Sequence, residues 1–127
     1  MPRIYTVPQL KDAFTPVFAR YGVRRAVLFG SYGKGTATEN SDIDLLVDSG
    51  LKGLRFVGFL DDVQRAIDKD VDLFDVAHIQ AGSRIDREIR ETGVTVYEQR
   101  SHYFQHQLRF GGVFFLLSHA FRAGRVV

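Results

Sequence analysis

Apolar residues recur every three or four positions in three stretches of the chain, which is the spacing of one face of a helix. We expect the first helix to begin after an N-cap at Thr6 and to end at Gly22. Pro16 lies inside this stretch, and its missing N–H and its ring predict a kink or a split. The other two helices are predicted over 54–67 and 83–92.

Short and mostly apolar runs separate these helices and predict strands at 24–29, 42–48, 69–76 and 94–97. A chain in which strands alternate with helices commonly folds into a sheet that is covered by helices. We therefore expect an α/β (α+β) domain over 1–98, built on a mixed sheet of about four strands.

Two carboxylates open the second predicted strand. Because side chains alternate between the two faces of a strand, Asp42 and Asp44 project to the same side, about 6.6 Å apart, and Ile43 points away. Two like charges so placed repel each other, and a divalent cation between them would remove the repulsion. Mg²⁺ prefers a few carboxylates together with substrate phosphates.

A glycine-rich turn follows the first predicted strand. Gly30 allows the backbone to turn sharply and to approach a ligand closely, and the N–H groups there and at Ser31 suit phosphate oxygens. Lys34 adds a mobile positive charge nearby, and Tyr32 is a candidate either for stacking on a base or for covering the loop. With the carboxylates, this turn predicts a site for a nucleoside triphosphate and its metal.

The glycine-serine pair at 30–31, ten further residues and the Asp-x-Asp sequence at 42–44 resemble the motif of the DNA polymerase β-type nucleotidyltransferase superfamily. The short chain is most similar to the minimal nucleotidyltransferases (MNT proteins), which are often paired with HEPN-domain partners in toxin–antitoxin modules. The resemblance covers residues 7–98. Relatives commonly have Ala-Arg where this chain has Gly33 and Lys34, so the charge is kept but the planar fork of arginine is not.

This resemblance implies a third metal-binding carboxylate in a Val-Asp-Leu element of the third strand. Asp72 matches that element and is our choice. Asp70 would share its face of the strand, at the strand mouth, whereas Asp75 would lie on the other face.

The resemblance further implies an Mg²⁺-dependent transfer of a nucleoside monophosphate, AMP from ATP, to a hydroxyl group. Asp42 and Asp44 would hold two ions, and Asp72 would hold the catalytic one and could also take the proton of the hydroxyl. The glycine turn and its lysine would bind the β- and γ-phosphates that leave as pyrophosphate.

The acceptor that the resemblance implies is a tyrosine of a HEPN toxin, which would make this chain the antitoxin. One alternative is a catalytically silent antitoxin that neutralises its partner by occlusion. Another is transfer to a small molecule such as an aminoglycoside, which resembles larger relatives and is disfavoured by the short chain. Since the chain lacks room for a separate acceptor-binding domain, a partner or a second copy of the chain would have to supply one.

Composition narrows the setting of this chemistry. The 127 residues contain no cysteine, which excludes disulfides and thiolate metal sites and is compatible with the cytoplasm, where we expect the protein. No apolar run reaches the roughly 18 residues of a membrane span. The first residues also lack the apolar core of a signal peptide.

The charge is distributed unevenly along the chain. Residues 1–98 contain all fifteen acidic residues and thirteen of the seventeen basic ones, so the net positive charge belongs to the aromatic-rich tail at 99–127. Direct binding of nucleic acid by the domain is therefore not expected. The tail is a candidate for a partner-binding segment, an oligomer contact or an extension.

We expect deletion of residues 99–127 to leave the domain folded, because the predicted helices and strands all lie before the tail. A thermal melt followed by circular dichroism checks this. Loss of the cooperative transition in the shortened chain would show that the tail belongs to the core.

Overall fold

The structure, a computed structural model, describes residues 3–99, so the tail at 100–127 and the first two residues lie outside the described residues. The described elements are α1 (Val7–Tyr21), β1 (Arg25–Phe29), α2 (Gly30–Lys34), β2 (Ile43–Asp48), α3 (Gly53–Ala66), β3 (Val71–Asp75), a 3₁₀ helix (Val76–His78), α4 (Arg84–Thr92) and β4 (Val94–Glu98).

The four strands form one mixed sheet in the order β3-β2-β1-β4, as expected. β1 pairs antiparallel with both β2 and β4, whereas β2 and β3 run parallel. With these directions, the carboxyl end of β1 and the amino ends of the other three strands meet at one end of the sheet. The register sets Phe29 and Asp72 on either side of Asp44 at that end.

The two faces of the sheet bury different helices, because alternate strand residues point to opposite sides. The main core lies between the sheet and the pair α1 and α3. Its fully buried side chains include Leu10, Phe14, Phe18, Leu28, Ile43, Leu45 and Phe59. The smaller cluster on the other face contains Val27, Phe29, Leu46 and Ile89 of α4. Asp44 alternates with Ile43 and Leu45 and therefore lies on the α4 face.

Helix α1 begins and ends where the sequence predicts. Thr6 caps it in a complete capping box with Gln9, and Gly22 ends it in the left-handed conformation with φ 71°. The helix runs without interruption through Pro16, so the predicted split does not occur. Burial of Phe14 and Phe18 on either side of the proline offsets the hydrogen bond that the proline cannot make.

Helix α2 corrects the sequence analysis, which treated the residues after β1 as a turn and a loop. Its five residues are too few to show an apolar period, which explains why no helix was expected there. It begins directly at Gly30 and ends at Gly35. The N–H of Gln99, the first residue of the predicted tail, donates a 2.9 Å hydrogen bond to Arg24 O.

The surroundings of two helical glycines lead us to expect opposite effects of substitution by alanine on stability. A Cβ at Gly33 in α2 would overlap the carbonyl oxygen of Thr92, whereas a Cβ at Gly58 in α3 would meet only the Tyr21 hydroxyl at 3.4 Å. We expect Gly33→Ala to lower the free energy of unfolding by about 1–3 kcal/mol. Gly58→Ala should raise it by about 0.5–1 kcal/mol through helix propensity. Urea denaturation measures both, and equal stabilisation by the two would contradict the close packing of α2 against α4.

Candidate active site

Three predicted carboxylates converge at the end of the sheet where α2 begins. Asp44 is the second residue of β2 and lies directly beside Asp72 of the parallel strand β3. Asp42 immediately precedes β2 and is exposed, as is Asp72, whereas Asp44 is half-buried. The structure thus places one carboxylate inside the end of the sheet, with one on each side of it towards solvent.

The ionised form of Asp44 is disfavoured by its surroundings. The pKa of Asp44 is raised from the ordinary 3.8 to about 6, mainly by burial and next by the neighbouring Asp72 carboxylate. Glu88 of α4 and then Asp42 contribute further repulsion, and a hydrogen bond with Asp72 also favours the protonated form. Protonation of Asp44 removes the repulsion between these carboxylates, and a bound metal cation would reduce that repulsion in the same way.

These carboxylates are suited to a divalent metal ion whose coordination shell is completed by oxygen atoms of the substrate. Within residues 3–99, no three His, Cys, Asp or Glu side chains form a ready-made metal cage. Mg²⁺ commonly uses one or two protein carboxylates together with water and phosphate oxygens. The close pair Asp44 and Asp72 fits that mode, with Asp42 as the carboxylate at the mouth of the site.

Gly30 is the first residue of α2, directly after β1, and its position is one that only glycine fits. Its φ is +69°, and a Cβ would overlap Oδ2 of Asp44. The turn therefore brings the backbone that begins α2 into direct contact with the central carboxylate. This explains in physical terms why the glycine and the Asp-x-Asp sequence belong to one motif.

Two residues of this site were missed by the sequence analysis. Thr92 Oγ1 accepts a 2.8 Å hydrogen bond from the Gly30 N–H and donates a 2.7 Å bond to Glu88 O. Both residues belong to α4, far from the motif in sequence. In the sequence they are recognisable only as residues of a predicted helix. Their part in the site could not be predicted without knowing how that helix packs.

The remaining residues of the turn have different surroundings. Ser31 is half-buried, and its carbonyl accepts hydrogen bonds from the N–H groups of Gly35 and Thr36. Lys34 is exposed at the last position of α2. Tyr32 is only 4 % exposed, packs in the main core and accepts a hydrogen bond from Tyr5 N through its hydroxyl, so its ring is not exposed for stacking on a base.

The other two acids of the third strand lie elsewhere. Asp75 is buried at the opposite end of β3, where it accepts hydrogen bonds from Ser49 and from Ala77 N. Asp70 is exposed just before the strand begins. Only Asp72 is in register with Asp44.

One further concave feature lies on another surface. A groove of about 460 Å³ is lined by residues of the amino-terminal segment, α1 and α3, including Arg3, Tyr5 and Arg65. None of the three candidate carboxylates lines it. Within residues 3–99, no helix has the length and apolarity needed to cross a membrane.

Comparison with known proteins agrees with this geometry. A model of the family described as "Polymerase beta, Nucleotidyltransferase" matches residues 13–102. A Methanocaldococcus jannaschii protein with the provisional name protein adenylyltransferase is 33% identical over 69 residues, which are 53% of this chain and 74% of that protein. Protein adenylyltransferase MntA of Thermococcus cleftensis is 59% identical over 29 residues, 23% of this chain and 29% of its own.

Solved structures show the same fold. A toxin–antitoxin crystal structure with AMP-PNP superimposes with a TM-score of 0.59 at 22% identity, covering 91% of both chains. A structure of a tri-AMPylated Shewanella oneidensis HEPN toxin in complex with an MNT antitoxin gives 0.56 at 18% identity, covering 94% of this chain and 92% of that one.

The pKa of Asp44 predicts a pH-dependent stability. Between about pH 4 and pH 6 the folded protein holds a proton on Asp44 that the unfolded chain has released, so stability should fall as pH rises through this window. Above it, the native state bears the full cost of the charge. In metal-free buffer at about pH 7.5, Asp44→Asn should therefore raise the free energy of unfolding by about 1–2 kcal/mol, after allowance for partial solvent screening.

Urea denaturation at about pH 4.5 and 7.5 measures the effect, and Asp70→Asn serves as the control because Asp70 is exposed outside the register with Asp44. The stabilisation by Asp44→Asn should be much smaller at the lower pH. If Asp44→Asn and Asp70→Asn show the same pH dependence as the parent chain, Asp44 does not carry the repulsion described here.

Proposed function

The chain belongs to the polymerase beta nucleotidyltransferase family, and we propose that it transfers AMP from ATP to a hydroxyl group of a HEPN-type toxin and thereby acts as an antitoxin. The observation that carries this proposal is the contact of the Gly30 turn with Asp44, whose other neighbour is Asp72. This arrangement sets a backbone turn suited to phosphate beside carboxylates suited to a metal ion.

The choice of AMP and of a protein acceptor is supported by the relatives. Both curated relatives are named protein adenylyltransferases. One structural neighbour contains AMP-PNP, and another contains a HEPN toxin that carries three AMP groups. An antitoxin that modifies its toxin covalently is the simplest function consistent with these names.

We propose that these three carboxylates would bind Mg²⁺: Asp42 and Asp44 would hold two ions, and Asp72 would also hold the catalytic one. When bound, the ions would neutralise the charge that develops on the attacking and leaving oxygens. Asp44 fits this role because burial and the negative charges around it raise its pKa, so a cation is the partner that its ionised form lacks.

The proposed reaction is an in-line attack by the acceptor oxygen on the α-phosphorus of ATP. The bond between the α-phosphorus and its bridging oxygen breaks, and pyrophosphate leaves with that electron pair. Asp72 is exposed at the site and is our candidate for removing the proton from the acceptor hydroxyl. Its position in register with Asp44 would keep that base close to a phosphorus bound at the metal site.

On the donor side, Ser31 and Lys34 are proposed to bind the β- and γ-phosphates. The N–H of Gly30 is already bonded to Thr92, so Gly30 contributes the shape of the turn and the room for Asp44. Lys34 can reach outward from the exposed end of α2 as a flexible point charge.

Incubation with Mg²⁺ and each labelled nucleoside triphosphate, beside the product of the neighbouring gene, tests the proposal. We expect label from ATP on the partner. Asp42→Asn and Asp44→Asn should each lower the rate at least about a hundredfold, because each removes a metal-binding charge from the transition state.

Asp70→Asn is the matched control, since it removes a neighbouring exposed carboxylate and should keep the parent rate. Neutralisation of the toxin without any transfer of label, retained in Asp44→Asn, would instead identify a silent antitoxin that acts by occlusion. Resistance of expressing cells to an aminoglycoside would point to a small-molecule acceptor.

A further inference from the structure

The Gly30 N–H is the first amide of α2 and is buried. A buried N–H without an acceptor is costly, and here the acceptor is the hydroxyl of Thr92, 2.8 Å away. This bond joins residues that are 62 positions apart in the chain. It therefore connects the turn of the motif to the end of α4.

The direction of the Thr92 hydroxyl is fixed by a second bond. The hydroxyl donates its single proton to Glu88 O at 2.7 Å, one helical turn earlier. Only lone pairs of Oγ1 are then left to face Gly30, so the oxygen can serve there solely as an acceptor. The residue at 92 must consequently be able to donate and accept at once, as Thr and Ser can and Val cannot.

Thr92 touches α2 at a second point as well. Its carbonyl oxygen lies where a Cβ of Gly33 would be, so the backbone of α2 rests directly on the end of α4. Gly30 in turn leaves no room for a Cβ beside Oδ2 of Asp44. Gly30 therefore lies against both Thr92 and Asp44, and a change in its bond to Thr92 would move the turn relative to the carboxylate.

We propose that Thr92 is a positioning residue for nucleotide binding: its hydroxyl holds Gly30 in place, so that Ser31 meets the triphosphate at a fixed distance from Asp44. For the nucleotide, this inference rests on the proposed function. The phosphates are bound both before and during transfer, so a loosened turn weakens ground-state and transition-state binding alike. Such a loss raises KM and leaves kcat nearly unchanged.

Three variants of the full chain test the role. Thr92→Val keeps the shape of the side chain and removes the hydroxyl, and Thr92→Ser keeps the hydroxyl. Thr95→Val is the matched control, because Thr95 Oγ1 accepts a 3.0 Å bond from Arg25 Nη2 in the same region but does not contact the turn. Each is measured by the hydrogen exchange of the Gly30 amide without nucleotide, and by KM and kcat for ATP.

In Thr92→Val, the Gly30 amide should exchange at least about tenfold faster, and KM should rise about fivefold to tenfold with kcat within about twofold of the parent. Thr92→Ser should restore both values, and Thr95→Val should leave both unchanged even if its melting temperature falls. An unchanged KM in Thr92→Val, or equal impairment in Thr92→Ser, would overturn the proposal.

The two proposals fail in different ways. If the parent chain transfers no nucleotide, the proposed function is wrong, and the amide exchange of Gly30 still tests whether the Thr92 hydroxyl holds the turn in place. If Thr92→Val leaves that exchange unchanged in a folded protein, the positioning role is wrong whatever the activity of the parent chain.

Discussion

The parallel pairing of β2 with β3 is the constraint on which the rest of the site depends. Its register sets Asp44 directly beside Asp72, and the burial of Ile43 and Leu45 on the opposite face prevents β2 from shifting by one residue. The apolar core thus forces two acids together that would separate if they were free to do so. Burial and this repulsion together raise the pKa of Asp44, and a bound cation would offset both.

At the opposite end of the sheet the same strands carry charges that are satisfied within the protein. Asp48 forms a 2.7 Å ion pair with Arg24, and buried Asp75 accepts hydrogen bonds from Ser49. Acids are therefore present at both ends of β2 and β3. At the opposite end Asp48 has an ion pair and Asp75 has hydrogen-bond donors, whereas Asp44 and Asp72 lie against each other.

The fold and the central residues of the site were open to prediction because their signals are local. Capping at Thr6, the apolar periods and the short apolar strands each lie within a few residues, and they gave the elements and the mixed sheet. The alternation of side chains along β3 puts Asp70 and Asp72 on the same face, so it cannot distinguish them. The strand register does, because only Asp72 lies beside Asp44. The clamp of Gly30 by Thr92 spans 62 positions and exists only once α4 packs against α2.

The order of the strands also gives the site a direction. The turn that begins α2 follows β1, Asp44 lies on β2 and Asp72 lies on β3, the strand at the outer position in the sheet formed by residues 3–99. In the proposed reaction, the phosphates of the nucleotide therefore lie on the β1 side, and the acceptor hydroxyl approaches from the β3 side. Because Asp72 is exposed there, a hydroxyl group presented by a second protein can approach it. A buried base would not be accessible to such a hydroxyl. A domain this small can then leave recognition of the acceptor to the partner itself.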